Sequence, residues 1–329
     1  MKLVTIIPFL KTLKKETLTY FSGKDVSVGD IVLAPVRKKD VEGLVINVED
    51  ISAQKGDIKD AHFNLKKITN VKGKSFFKKS FLDTCTSVKY YFVASTGQIL
   101  NTLIPAIVFE NYKDLAEPKK YEEKETETIP EKYAFQAPTE DRLVIYKTLV
   151  REAFAKKESI FFCFPTVSDA KFFYEFLRKG VEDYVFFINP SLSKKEFIKT
   201  YNKIMKEDHS TIVFGTPSFL FLHRDDFTTF IVERESSSSY VSLRKPYLDA
   251  RIFIESLCHK EKTRLIFADS ILRTETIGRV KTKEIEEFRP LNFRLPEKEE
   301  EEIIDMREDK DKDFQIIGRK VFEKIQETS

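Results

Sequence analysis

The sequence predicts an α/β protein: a small β-rich N-terminal domain followed by a doubly wound parallel-sheet lobe. Three observations carry this. The first 50 residues hold short apolar runs separated by turn residues; residues 113–134 lose any apolar stripe; and from Phe135 onward helical periodicity alternates with short continuous apolar runs.

In order along the chain, Leu3 to Ile7, Leu18 to Phe21, Asp30 to Val36 and Gly43 to Val48 read as strands, with Ser22-Gly23-Lys24-Asp25 and Val28-Gly29-Asp30 as turns. Their spacing suggests a small β-barrel or curled sheet. Over 76–97 the period changes, and Phe77, Phe81, Val88 and Phe92 fall near one helical face. Residues 1–112 are thus one expected domain. Residues 113–134, charged and carrying two prolines, are expected to be a linker. In the lobe expected over 135–285, RLVIYKTLVREAFAKK is an amphipathic helix and SIFFCFP a buried strand, while SDAKFFYEFLRKG starts on a candidate N-cap, Ser168, and ends at Gly180. YVFFI, a helix from Ser193 to Met205, TIVFG, TTFIVE, a helix around 247–259 and RLIFA complete the alternation. Residues 286–329 read as an acidic tail, net −6 across 297–313, closing on an amphipathic piece from Phe314 to Ile325.

Composition narrows the function classes. An apolar share of 41% with 30 Phe supports real cores, and 33% charged residues without a single Trp argue for a soluble protein. No stretch approaches the roughly 18 uninterrupted apolar residues of a membrane span, and the opening MKLVTIIPFLKTLKKE is charged too soon for a signal peptide. The expected compartment is the cytoplasm, with no membrane partner. Cys85, Cys163 and Cys258 lie far apart without a C-x-x-C pair, so they read as buried thiols and no metal site is expected. The net charge of +3 is unevenly spread: residues 1–112 carry 17 Lys+Arg against 11 Asp+Glu. That basic half is the candidate for a polyanion.

In a parallel α/β sheet, ligands bind at the carboxyl ends of strands, which places any chemistry in the loops after Phe164, Ile188, Phe214, Val232 and Phe267. A nucleoside triphosphatase needs a Gly-rich cradle with a Lys there, because backbone N–H groups must approach the phosphates. The sequence has none, and FQAPTEDRL, before the first helix of the lobe, offers two acids instead. The strand-end motif Glu233-Arg234-Glu235-Ser236 lacks the Asp that would hold Mg²⁺; Glu233 and Glu235 read as structural or as partners of Arg234. From Lys59 to Phe81, by contrast, Lys66, Lys67, Lys72, Lys74, Lys78 and Lys79 alternate with Phe63, Phe76, Phe77 and Phe81, and Arg37-Lys38-Lys39 occupies an expected hairpin turn. These residues suit phosphates and stacked bases, or else form a solvated lysine face over a phenylalanine core.

The order of these segments resembles the family of primosomal replication-restart helicases, primosomal protein N′ (PriA), over nearly the whole chain. FFKKSFLDTCTSVKYYFVASTGQILNTLIPAIV looks like the helical part of that family's 3′-end DNA-binding domain, NPSLSKKEFIKTYNKI like its HSGLS segment, FGTPSFLF like its IGTRSALF, and IVERESSSSY like its IVDEEHDSSY. The resemblance implies a RecA-like lobe, a DNA partner, and ATP with Mg²⁺ as cofactors. The departures fall on the catalytic positions: Arg142 stands at the phosphate-loop lysine, Leu143 at the Mg²⁺ hydroxyl, Pro217 at the GTRSA arginine, and Glu233, Arg234, Glu235 and Ser236 replace DEEH. In the DNA-binding part, the family's Phe-Asp-Tyr falls on Leu18-Thr19-Tyr20, and a glycine falls on Arg37, which would favour a phosphate. EEIIDMRED resembles the approach to a second helicase lobe, which the sequence does not continue into.

The expectation is therefore a protein that binds branched or single-stranded DNA in replication restart, through residues such as Tyr20 and the named cations, without hydrolysing ATP and without a cofactor. Primosome or single-strand-binding proteins are its expected partners. Two alternatives stay open. The chain could be part of an ATP-dependent 3′–5′ helicase, or a protein-interaction module that uses the old nucleotide cleft for docking.

Overall fold

The computed structural model describes residues 1–9, 17–50, 65–74, 76–117, 130–290 and 318–328. In β1 (Lys2–Pro8) every second side chain is buried, because Val4 and Ile6 alternate with half-exposed neighbours. The same logic builds β2 (Leu18–Ser22), β3 (Ile31–Val36), β4 (Lys39–Asp50) and β5 (Asn70–Gly73). They form one sheet in the order β2-β1-β4-β3-β5, antiparallel throughout. The segment before β5 then closes it. Phe21 N–H donates to the Lys66 carbonyl, Ile68 N–H to Phe21, and Thr69 N–H to Leu33, so β2 and β3 share one intervening stretch. Closure removes the open edges. Val4, Ile6, Tyr20, Val26, Val32, Ala34, Val45 and Ile68 fill the interior, as the expected barrel requires.

The following helices weld the barrel to the lobe. They are α1 (Lys79–Tyr91), α2 (Thr96–Leu103), whose Ser95 N-cap forms a reciprocal capping box with Gln98, and α3 (Ala106–Asn111). The single helical run expected over 76–97 therefore ends at Tyr91, where the chain turns into α2. Gly29, at φ +93°, lies so close to this region that a Cβ there would come within 2.2 Å of the Phe77 carbonyl oxygen. Phe76, Phe77 and Phe81 are fully buried and meet Tyr201, Phe221 and Phe253 of the lobe at ring separations of 6.3, 5.8 and 5.5 Å. One apolar core thus runs from the helices into the lobe.

The lobe holds a seven-stranded parallel sheet: β6 (Lys132–Gln136), β7 (Ser159–Cys163), β8 (Val185–Phe187), β9 (Ile212–Gly215), β10 (Phe227–Glu233), β11 (Arg264–Asp269) and β12 (Glu286–Glu287), in the order β12-β6-β11-β10-β7-β9-β8. Its helices are α4 (Thr139–Ala155), α5 (Val167–Leu177), α6 (Lys194–Lys206), α7 (Ala250–Glu261) and α8 (Thr274–Lys281). Alternate strand residues feed opposite faces. Phe162, Phe214, Ile231 and Ile266 pack with Tyr146 of α4 and Phe173 of α5, while Phe161, Val213, Phe230 and Leu265 pack with Tyr201 of α6 and Phe253 of α7. Burial on both faces is why these strands read as unbroken apolar runs.

Two expectations change. β6 begins at Lys132, inside the expected linker, because Ala134 and Phe135 are buried between β11 and β12; residues 118–129 of that linker lie outside the described residues. The N-cap of α5 is Thr166, whose hydroxyl accepts the Asp169 N–H, and not Ser168. Ser193 caps α6 as expected, in a capping box with Glu196. Residues 293–329 form a separate unit. Within it, α9 (Arg319–Thr328) leaves Phe322 and Ile325 exposed; the expected start of this helix at Phe314, like most of the acidic tail, lies outside the described residues.

Candidate nucleic-acid interface and strand-end site

Segment 66–70, which closes the barrel, also gathers its cations. Lys66 Nζ donates to the Arg37 carbonyl at 3.3 Å, and a side chain at Gly23 would meet Lys67 Nζ at 3.9 Å. Lys24 Nζ donates to the Thr69 carbonyl and to Asn70 Oδ1, both at 3.0 Å. Arg37, Lys38, Lys39, Lys66 and Lys67 are all exposed. Arg37 and Lys38 form the two-residue β3–β4 hairpin loop, since Val36 pairs with Lys39. Arg37 takes φ +55°, the left-handed conformation that such a loop demands and that glycine fills without strain. Asp40 is the acid in this group, and it accepts the Thr69 hydroxyl at 3.3 Å. Sequence reading missed Lys24, placed here by a turn it had identified only as a turn. Exposed Lys72 and Lys74 follow along and beyond β5, and exposed Lys79 opens α1; Lys59 and Phe63 lie outside the described residues.

Five expected contacts are corrected. Lys78 is not a free cation: its ammonium lies 2.9 Å from Asp225 and 3.4 Å from Glu261 and donates to the Arg224 carbonyl at 3.0 Å, fastening the start of α1 to the lobe. Burial alone would lower the pKa of this lysine; Glu261 and Asp225 outweigh it and raise it. Tyr20 is buried in the barrel and donates its hydroxyl to the Pro35 carbonyl at 3.2 Å, so its ring offers no stacking face. The same holds for Phe76, Phe77 and Phe81, which are core residues.

At the carboxyl ends of the parallel strands, the four residues Glu233 to Ser236 are held by other parts of the chain. Glu233 ends β10 and is fully buried. Arg142, in the first turns of α4, donates to it through Nη2 at 2.5 Å and Nε at 3.1 Å, and Tyr146 donates its hydroxyl to the other carboxylate oxygen. The guanidinium is completed by the Ala137 carbonyl and by Ser270 Oγ at 3.0 Å. Burial raises the Glu233 carboxyl, against the pull of Arg142, and burial with the nearby Glu233 charge pushes the Tyr146 phenol well up. Arg234, at φ +54°, turns the chain out of the strand and pairs with Asp169 at 3.0 Å. Glu235 accepts from Arg273 Nε at 2.5 Å, the Arg273 N–H at 3.0 Å and the Thr276 hydroxyl at 2.8 Å. Asp269 accepts the Ser236 N–H at 2.8 Å. Of the two readings of Glu233 and Glu235, structural or paired with Arg234, the pairing with Arg234 is replaced by pairing with Arg142 and Arg273.

These residues do not fit a nucleoside triphosphate with Mg²⁺. The loop from Gln136 to Pro138 carries no glycine, its Ala137 carbonyl accepts from the Arg142 guanidinium, and Arg142, which the resemblance sets in place of a phosphate-loop lysine, is bound by Glu233.

The fold defines an α/β protein that joins a closed antiparallel barrel to a doubly wound parallel sheet. Residues 7–105, spanning most of the barrel together with α1 and α2, match the family model of the PriA 3′ DNA-binding domain (3′BD). Among solved structures, the C-terminal domain of Saccharomyces cerevisiae Dbp5 is 12% identical, with a TM-score of 0.34 over 48% of this chain and 88% of its own. The UvsW helicase of bacteriophage T4 is also 12% identical, with a TM-score of 0.30 over 60% of this chain and 72% of its own. At those scores neither likeness bears on what this chain does. No curated protein matches the sequence. Among the described residues, no helix is long and apolar enough to cross a membrane.

Proposed function

We propose that this chain is a DNA-binding protein of the replication-restart class, whose barrel engages branched or single-stranded DNA and whose lobe does not hydrolyse ATP. The observation that carries the reading is the gathering of Arg37, Lys38, Lys39, Lys66 and Lys67 on a barrel that lies within the match to a 3′ DNA-binding domain. Closely spaced exposed cations release condensed counterions when they meet phosphates, which makes affinity fall steeply with salt. The second half of the reading is supported by the Arg142–Glu233 pair, because the cation that the resemblance places at the phosphate loop is held by a buried carboxylate instead. A primosome or single-strand-binding protein belongs with this reading as a partner, and the cytoplasm as its compartment.

The test is a fluorescence-anisotropy titration of a forked DNA with a free 3′ end against salt. The expected log–log slope falls by about one for each of Arg37→Ala and Lys66→Ala. A slope near zero for the unaltered chain would sink the proposal.

A further inference from the structure

Tyr20, Phe76, Phe77 and Phe81, expected to face bases, are buried, yet two large aromatic rings inside the matched region are bare. Tyr90 and Tyr91, at the end of α1, are 78% and 69% exposed. Lys89 Nζ sits 5.1 Å from the Tyr90 ring centroid, and Tyr91 is braced edge-on by Phe92 at 4.9 Å. The turn that presents them is firmly built. Ala94 N–H donates to the Lys89 carbonyl at 2.9 Å, and Ser95 and Gln98 close the next helix with their capping box. Val93 between them takes φ +47° and is 94% exposed, although a β-branched residue resists that conformation. A turn this well held keeps the tyrosines projecting at little entropic cost on binding.

From this we infer that Tyr90 and Tyr91 form a stacking platform for unpaired bases of a single-stranded nucleic acid, a second contact beside the cations of the barrel. Tyrosine faces accept any base, and the neighbouring Lys89 suits the phosphate between two stacked bases. The inference rests on the DNA-binding reading and adds to it a preference for unpaired over paired DNA.

Because the chain has no Trp, Tyr91→Trp introduces a single reporter at the platform. In the intact 329-residue chain its emission is expected to be quenched by an oligothymidine and left unchanged by a duplex of equal length. In anisotropy titrations, Tyr90→Ala with Tyr91→Ala is expected to weaken oligothymidine binding about 5- to 150-fold per stacked base lost, with the salt slope unchanged because no cation is removed; Tyr90→Phe with Tyr91→Phe is expected to restore affinity. If the double alanine variant binds oligothymidine as the parent does while Lys66→Glu binds it weakly, the platform is overturned and the barrel reading survives. If the parent chain binds neither oligothymidine nor fork, both are overturned.

Discussion

The Arg142 guanidinium and the Glu233 carboxylate lie 2.5 Å apart, 1% and 0% exposed, and join the first helix of the lobe to the end of its central strand. A buried pair of this kind is held together more by the penalty of breaking it than by its net attraction. Arg142→Ala or Glu233→Ala alone should cost about 3–5 kcal/mol, since each leaves a buried charge without its partner. Replacing the whole group, Arg142→Met with Glu233→Leu and Tyr146→Phe, should recover most of that loss. Urea denaturation of the single and combined variants measures the coupling; single effects that simply add would show that the pair is not a unit.

On the proposed DNA-binding reading, Arg37 would tie stability to binding at one position. Its φ of +55° costs about 1–2 kcal/mol that glycine does not incur, although glycine gives back part of this as chain entropy. Arg37→Gly should therefore melt no lower than the parent, and up to about 1 kcal/mol more stably, while losing about one unit of the salt slope for DNA. Calorimetry paired with a salt titration reads both, and a drop in stability would contradict the backbone argument.

Lys78 should separate from its neighbours in the sequence. With Asp225 and Glu261 facing it, Lys78→Met leaves two acids uncompensated where α1 meets the lobe and should cost about 2 kcal/mol or more. The salt slope for DNA should stay unchanged. Lys79→Met, one residue on and exposed, should leave stability within about 0.5 kcal/mol.

Acid stability should depend on Glu255. Burial alone would raise its carboxyl, but hydrogen bonds from Arg279 Nη1 and Lys132 Nζ, both at 3.0 Å, outweigh it and hold the pKa below the usual range. A carboxylate whose folded pKa is depressed contributes stability above its unfolded value of about 4.3, and that contribution is lost as pH falls through the lower folded value. Glu255→Gln should destabilise the protein at neutral pH and shrink the loss of stability below about pH 4.3. Melting temperatures from pH 2 to 7 test the sign.

Much of the fold was legible because the sheet is buried on both faces. SIFFCFP, TIVFG and TTFIVE are continuous apolar runs, and Ser193 with Glu196 signals its helix in the sequence itself. β6 was not, because KYAFQ follows a charged stretch and only tertiary neighbours bury Ala134 and Phe135. At the site, the residue types were legible and their partners were not. Arg142 and Glu233 are 91 positions apart, and no local pattern joins them. Likewise, the alternation of lysine with phenylalanine from Lys66 to Phe81 does not say which rings face inward; packing against Tyr201, Phe221 and Phe253 does.

The most direct test of the central claim, a barrel that binds DNA beside a lobe that has filled its own phosphate site, is anisotropy of a labelled fork with a free 3′ end, with and without ATP and Mg²⁺, alongside phosphate release. The expected result is salt-sensitive binding with the same affinity in both conditions and phosphate release at the buffer baseline. Affinity that changes with ATP, or turnover abolished by Glu233→Gln, would contradict it.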